Sequence, residues 1–268
     1  MSNFWFAFSL TLLAGLATGI GSVLAFVARK LDTRFLSVAL GFSAGVMIFI
    51  SFTELLPVAV SSLADVFGKQ AELMVFLIFF MAIGLTALID MVVPGSENPH
   101  ELHKDKIEMQ EIKEIRHKPQ KLFRLGVFTA AALALHNLPE GLATFVGALQ
   151  MPSLAYPIAL AIAIHNIPEG IAVSVPIYYA TGSRKKAFAY SFLSGLAEPV
   201  GALIGYAVLM PFLDGALYML VFPFVAGIMV YISFDELLPA AREYGQHHLS
   251  ILGLFAGMLI MAFSLILL

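Results

Sequence analysis

The sequence predicts an all-α, polytopic membrane protein, with eight transmembrane helices in a 3+2+3 inverted-repeat bundle and both termini on the outer side. Three observations carry that expectation. Apolar runs near twenty residues recur along the 268-residue chain, which is 60% hydrophobic and 12% charged at a mean hydropathy of +0.90, a composition foreign to soluble domains. Fourteen of the fifteen Lys and Arg residues fall in alternate loops between those runs. Two pairs of segments with polar centres repeat one another.

Taken in order, the runs predict spans at 4–27, 35–58, 71–93, 123–148, 154–180, 187–209, 215–239 and 249–268, all within one transmembrane domain, 1–268. The first follows Met1-Ser-Asn, which has no basic n-region, and it is too long for a cleaved signal, so it is expected to be retained. Arg29, Lys30 and Arg34 mark the first loop, and Lys104, Lys106, Lys113, Arg116, Lys118, Lys121 and Arg124 mark or border the third. Arg184, Lys185 and Lys186 lie in the fifth and Arg242 in the seventh, with Lys69 alone in an even-numbered loop. The positive-inside rule makes the odd loops cytoplasmic. An error of one span would scramble that parity. The loop 94–121 is the one sizeable polar segment, a solvated linker whose His100, His103 and His117 could hold cytosolic metal loosely; His247 and His248 suit a surface. The absence of cysteine excludes disulfides and thiolate metal sites.

The chain repeats itself. Ala44-Gly-Val-Met-Ile-Phe-Ile-Ser-Phe-Thr-Glu-Leu-Leu-Pro57 aligns without gaps on Ala226-Gly-Ile-Met-Val-Tyr-Ile-Ser-Phe-Asp-Glu-Leu-Leu-Pro239. These lie in spans two and seven, an odd number apart, so the copies run in opposite directions. The same holds for His136-Asn-Leu-Pro-Glu-Gly141 in span four and His165-Asn-Ile-Pro-Glu-Gly170 in span five. Inverted repeats with polar groups at mid-helix are the sequence signature of a secondary transporter.

The hexapeptides are where chemistry is expected. An ionisable residue at the bilayer centre costs about 2.5–3.5 kcal/mol even on lenient scales, so it is a functional hint by default. On a helix His136 and Glu140 share a face with Asn137 about 100° round, and His165, Asn166 and Glu169 repeat this. Pro139 and Pro168 lack an N–H, which should disrupt the preceding turn and free the Leu135 and Ile164 carbonyls. Glu198 in Leu196-Ala-Glu-Pro-Val200 adds a third helix at similar depth. No Lys or Arg lies at that level, so protons or bound cations must compensate the three carboxylates. Glue between helices could explain one such residue; seven at one level favour a divalent-cation site.

With these residues in view, the chain resembles the ZIP family of divalent metal transporters, nearest to its bacterial zinc transporters. The likeness rests on the doubled His-Asn-Xaa-Pro-Glu-Gly, the Ala-Glu-Pro of span six and the eight outward-ended spans, and covers essentially the whole chain. It implies a midplane two-metal site with His136, Asn137, Glu140, His165, Asn166, Glu169 and Glu198 as ligands, Glu140 and Glu169 being shared. It also implies uptake of Zn²⁺, with Fe²⁺, Mn²⁺ or Co²⁺ as further substrates, across a bacterial inner membrane. His165 and Asn166, where other branches carry different pairs, imply a broad metal range. No prosthetic group and no nucleic-acid partner are expected. The partners are metal ions and the lipid bilayer, a homodimer being left open.

Glu54, Asp235, Glu236 and Asp90 are candidates for a gate or relay flanking that site. Glu54 and Glu236 occupy equivalent places near opposite ends of oppositely directed helices, where interfacial solvation is the competing account. The pairs Gly41/Gly45, Gly201/Gly205 and Gly253/Gly257 read as small-residue contacts permitting close helix approach. Two rival functions remain. An intramembrane metalloenzyme would also bury His and Glu, but the His-Glu-Xaa-Xaa-His signature is absent. A proton-coupled carrier of an organic solute would call for aromatic lining near the hexapeptides, and no Trp or Tyr concentrates there.

Overall fold

The computed structural model describes residues 2–27, 33–92, 119–209, 215–244 and 247–267, all of them helical apart from short turns. The first helix, α1, is Ser2–Val27. Next comes α2 (Thr33–Ile50), a π-helical turn Ser51–Leu55, and α3 (Leu56–Phe67), which together make one long rod. Gly68, at positive φ, turns the chain into α4 (Gln70–Val92). The central pair is α5 (Pro119–Gln150) and α6 (Pro152–Thr181), each opened by a proline in its first turn, where the missing N–H has no intrahelical acceptor to lose. Gly182 closes α6 in the left-handed conformation and Ser183 caps α7 (Arg184–Gly195), which continues after one turn residue as α8 (Ala197–Leu209). A 3-10 stretch Gly215–Leu220 leads into α9 (Val221–Ile232), a second π turn Ser233–Leu237, α10 (Leu238–Tyr244) and α11 (His247–Leu267).

Seven of these rods among the described residues are long and apolar enough to cross a membrane. The helix α5, 32 residues long, is the remaining candidate for a span. The chain is a multi-pass helical membrane protein. The anticipated loop 94–121, with its three histidines, lies outside the described residues up to Lys118. His247 and His248 are exposed.

Two expectations need correction. The helix of the second span does not stop at 58; the rod runs on to Phe67, so Glu54 lies well inside the rod. Pro139 and Pro168 do not break their helices, and α5 and α6 run through them. The irregular backbone lies instead in the other rods. In both Phe-Xaa-Glu-Leu-Leu-Pro copies the residue before the proline bonds back five residues, Leu56 N–H to the Ser51 carbonyl and Leu238 N–H to the Ser233 carbonyl. The extra residue in the turn relieves the clash that Pro57 or Pro239 would make with the carbonyl four residues earlier.

The helices pack in two groups. Helices α1, α5, α6, α7 and α8 form one, while α2, α3, α4, α9, α10 and α11 form the other, joined chiefly where α2 meets α6 and α9 meets α5. Within each group glycines bring backbones together: a Cβ at Gly141 would collide with the Glu198 carbonyl, and one at Gly41 with that of Ser250. All three small-residue pairs noted in the sequence make such contacts, Gly205 against the Leu142 side chain and the rest against backbone. Between helices in lipid, where apolar burial provides no drive, close packing of this kind is what holds them. Helices α4 and α11 are peripheral, with 17% and 28% of their apolar windows buried against 72% for α6. Their exposed Leu, Phe and Ile side chains suit contact with acyl chains.

Candidate metal centre

The polar residues of the hexapeptides converge inside the first helix group. His136, Asn137 and Glu140 project from α5, His165, Asn166 and Glu169 from α6, and Glu198 from the first turn of α8; none is more than 2% exposed. Helical spacing places each His and its Glu on one face, and the glycine ending each hexapeptide lets a neighbour approach. Gly141 admits the Glu198 carbonyl and Gly170 that of Thr18.

Glu140 joins the two copies. His136 Nε2 lies 3.3 Å from its Oε1 and His165 Nε2 3.2 Å from its Oε2. Glu169 completes the ring, its Oε1 3.7 Å from His136 Nε2. His165 Nδ1 is 3.1 Å from the Ala161 carbonyl, which can only accept, so Nδ1 carries a proton. A neutral His165 therefore presents a lone pair from Nε2 to a carboxylate oxygen. Two acceptors at 3.2 Å repel unless a cation, a proton or a metal ion, shares them.

Beside this cluster the asparagines are turned by their amide nitrogens. Asn137 Nδ2 donates to the Ser194 carbonyl (3.1 Å), and Asn166 Nδ2 to the Ala14 carbonyl (2.9 Å) and to Glu198 Oε1. Carbonyl acceptors fix which end of each amide is nitrogen. Asn137 Oδ1, Asn166 Oδ1 and Glu198 Oε2 are left buried without partners. Unpaired buried oxygens are costly and rare, and these three come from three helices. As placed, the described side chains form no ready-made metal cage; those that could close on a cation are His136, His165, Glu140 and Glu169, with the unpaired oxygens of Asn137, Asn166 and Glu198 on the same helices.

Sequence reasoning missed Ser43 of α2, whose hydroxyl donates to Glu169 Oε1 across the junction of the two helix groups (3.4 Å). A lone serine in an apolar helix carries no motif. Of the gate candidates, three come together: the Tyr231 hydroxyl is bonded to Asp235, with Asp90 and Glu236 in electrostatic reach. Glu54 is half-buried in its π turn.

A family profile described as "ZIP Zinc transporter" matches residues 2–265. The chain belongs to the ZIP family. Among ZIP relatives, the zinc transporter ZupT of Streptococcus mutans is 58% identical over 262 residues, covering 97% of each chain. ZupT of Clostridium perfringens is 55% identical over 277 residues, covering all of this chain and 97% of its own. That of Nitratidesulfovibrio vulgaris is 57% identical over 270 residues, with 99% and 98% covered. ZIP proteins are transporters, not enzymes, which sets the metalloenzyme reading aside.

Proposed function

We propose that this ZIP protein carries Zn²⁺ into the bacterial cytoplasm through a two-metal site at the bilayer midplane. The observation that supports this best is the convergence of both hexapeptides on Glu140, with imidazole and carboxylate atoms aimed at one another in a buried cluster. The names of the relatives supply the metal. Mixed nitrogen and oxygen donors without sulfur suit borderline divalent ions, so Fe²⁺, Mn²⁺ and Co²⁺ are further substrates. The imidazole and carboxylate atoms lie 3.2–3.7 Å apart, a spacing that a single ion can share.

In this reading the chain crosses the membrane eight times with both termini outside. The ion enters past Glu54, exchanges protons for metal at the central cluster and leaves past Glu236, Asp235 and Asp90. Moving two charges down a 100 mV interior-negative potential releases about 4–5 kcal/mol. The test is uptake by liposomes holding the purified protein and a trapped zinc indicator, with competing metals outside. Zinc entry inhibited by Mn²⁺, Fe²⁺ or Co²⁺ is expected. Entry no faster than into protein-free liposomes would overturn the proposal.

A further inference from the structure

The inverted repeat reaches beyond the aligned segments and sets Thr18 of α1 in the place of Glu198. A constant register shift lays Ala14 on Ser194, Gly15 on Gly195, Thr18 on Glu198 and Gly21 on Gly201. The packing follows the same shift, with the hexapeptide copies exchanged. The Ala14 carbonyl accepts from Asn166, as that of Ser194 accepts from Asn137. Gly15 and Gly195 face each other's carbonyls. The Thr18 carbonyl fills the space at Gly170 and the Glu198 carbonyl that at Gly141, while Gly21 admits the Ile167 carbonyl and Gly201 that of Leu138. In this register the Thr18 hydroxyl corresponds to the Glu198 carboxylate.

That hydroxyl is free for a ligand. Thr11, Thr53, Thr86, Thr144 and Thr181 each donate to the carbonyl four residues back, the usual resting place of a helical threonine. For Thr18 that carbonyl is Ala14, already taken by Asn166. Thr18 is 0% exposed and its Oγ1 has no partner. The hydroxyl lies against Gly195, beside the peptide whose carbonyl holds Asn137.

We infer that Thr18 Oγ1 is an oxygen ligand of the second metal position, across from Glu198 and beside the Asn137 and Asn166 amide oxygens. The inference rests on the central cluster being a two-metal site. An all-oxygen set with a neutral hydroxyl favours hard divalent cations such as Mn²⁺, whereas the imidazole position favours zinc. Thr18 then tunes which ion occupies the second position and how tightly.

The test is calorimetry of Zn²⁺ and Mn²⁺ binding to the purified full chain, comparing Thr18→Val, which keeps the shape and removes the hydroxyl, with Thr18→Ser, which keeps the hydroxyl. Thr18→Val should weaken the lower-affinity event on the order of tenfold, more for Mn²⁺ than for Zn²⁺, and leave the tighter event unchanged. Thr18→Ser should bind as the parent protein does. Two unchanged events in Thr18→Val would overturn the inference while leaving the central site standing. A loss in Thr18→Ser as large as in Thr18→Val would also overturn it, since packing and not the hydroxyl would then matter. A parent protein that binds neither metal would remove the two-metal reading itself, and this inference with it.

Discussion

In the proposed site a single residue, His165, would couple metal binding to protons. Its Nδ1 is committed to the Ala161 carbonyl, so only Nε2 faces Glu140, and the pair needs a cation between them. A metal must displace a proton there, and affinity should fall as pH is lowered from about 7.5 to 5, through the ordinary histidine range. Calorimetric titration at several pH values checks this; constant affinity would argue against both histidines. Asn137→Ala removes one neutral oxygen and no charge, so Zn²⁺ binding at the imidazole position should survive while the Mn²⁺:Zn²⁺ uptake ratio falls. At this scale the hexapeptides were legible, because a His, a Glu and a Pro repeated in apolar surroundings have no cheap structural excuse. Ser43 and Thr18 were not. A hydroxyl in an apolar helix usually back-bonds to its own helix, and only the packing shows where that partner has been taken.

At the level of elements, the glycines divide into those that touch backbone and those that do not. A Cβ at Gly141 or Gly170 would run into a carbonyl of the neighbouring helix, whereas one at Gly84 meets nothing within 4 Å. Gly141→Ala and Gly170→Ala should lower the melting temperature in detergent by several degrees and abolish uptake. Gly84→Ala should be neutral, or stabilising by the roughly 0.5–1 kcal/mol that alanine gains over glycine in a helix. Equal melting temperatures for all three would contradict the packing. Helix ends were legible within a few residues where polar loops follow directly. The helix of the second span runs past 58 because Ala59–Phe67 is amphipathic, with exposed Ser61 and Asp65 against buried Ala59 and Leu63, and a hydropathy reading stops where helical hydrogen bonding does not. The π turns escaped notice because a proline marks an obstacle without saying whether the helix breaks or takes up an extra residue.

For the whole molecule, the repeat is the organising feature. It pairs the π turns of the two long rods, exchanges the roles of α5 and α6, and sets Thr18 against Glu198. Opposite copies should therefore face opposite sides. With no native cysteine to interfere, Glu54→Cys should be labelled by an impermeant reagent from outside and Glu236→Cys only from inside. Labelling of both from one face would refute the proposed topology. The central claim is that the ion passes through the cluster gathered on Glu140 and Glu169. It is tested most directly by zinc flux into liposomes containing Glu140→Ala or Glu169→Ala, with insertion and melting temperature measured alongside. Both variants should insert as the parent protein does and lose at least about 99% of flux, since each removes a charge-bearing ligand worth several kcal/mol from a buried site. Near-parental flux in the two correctly folded variants would contradict the account.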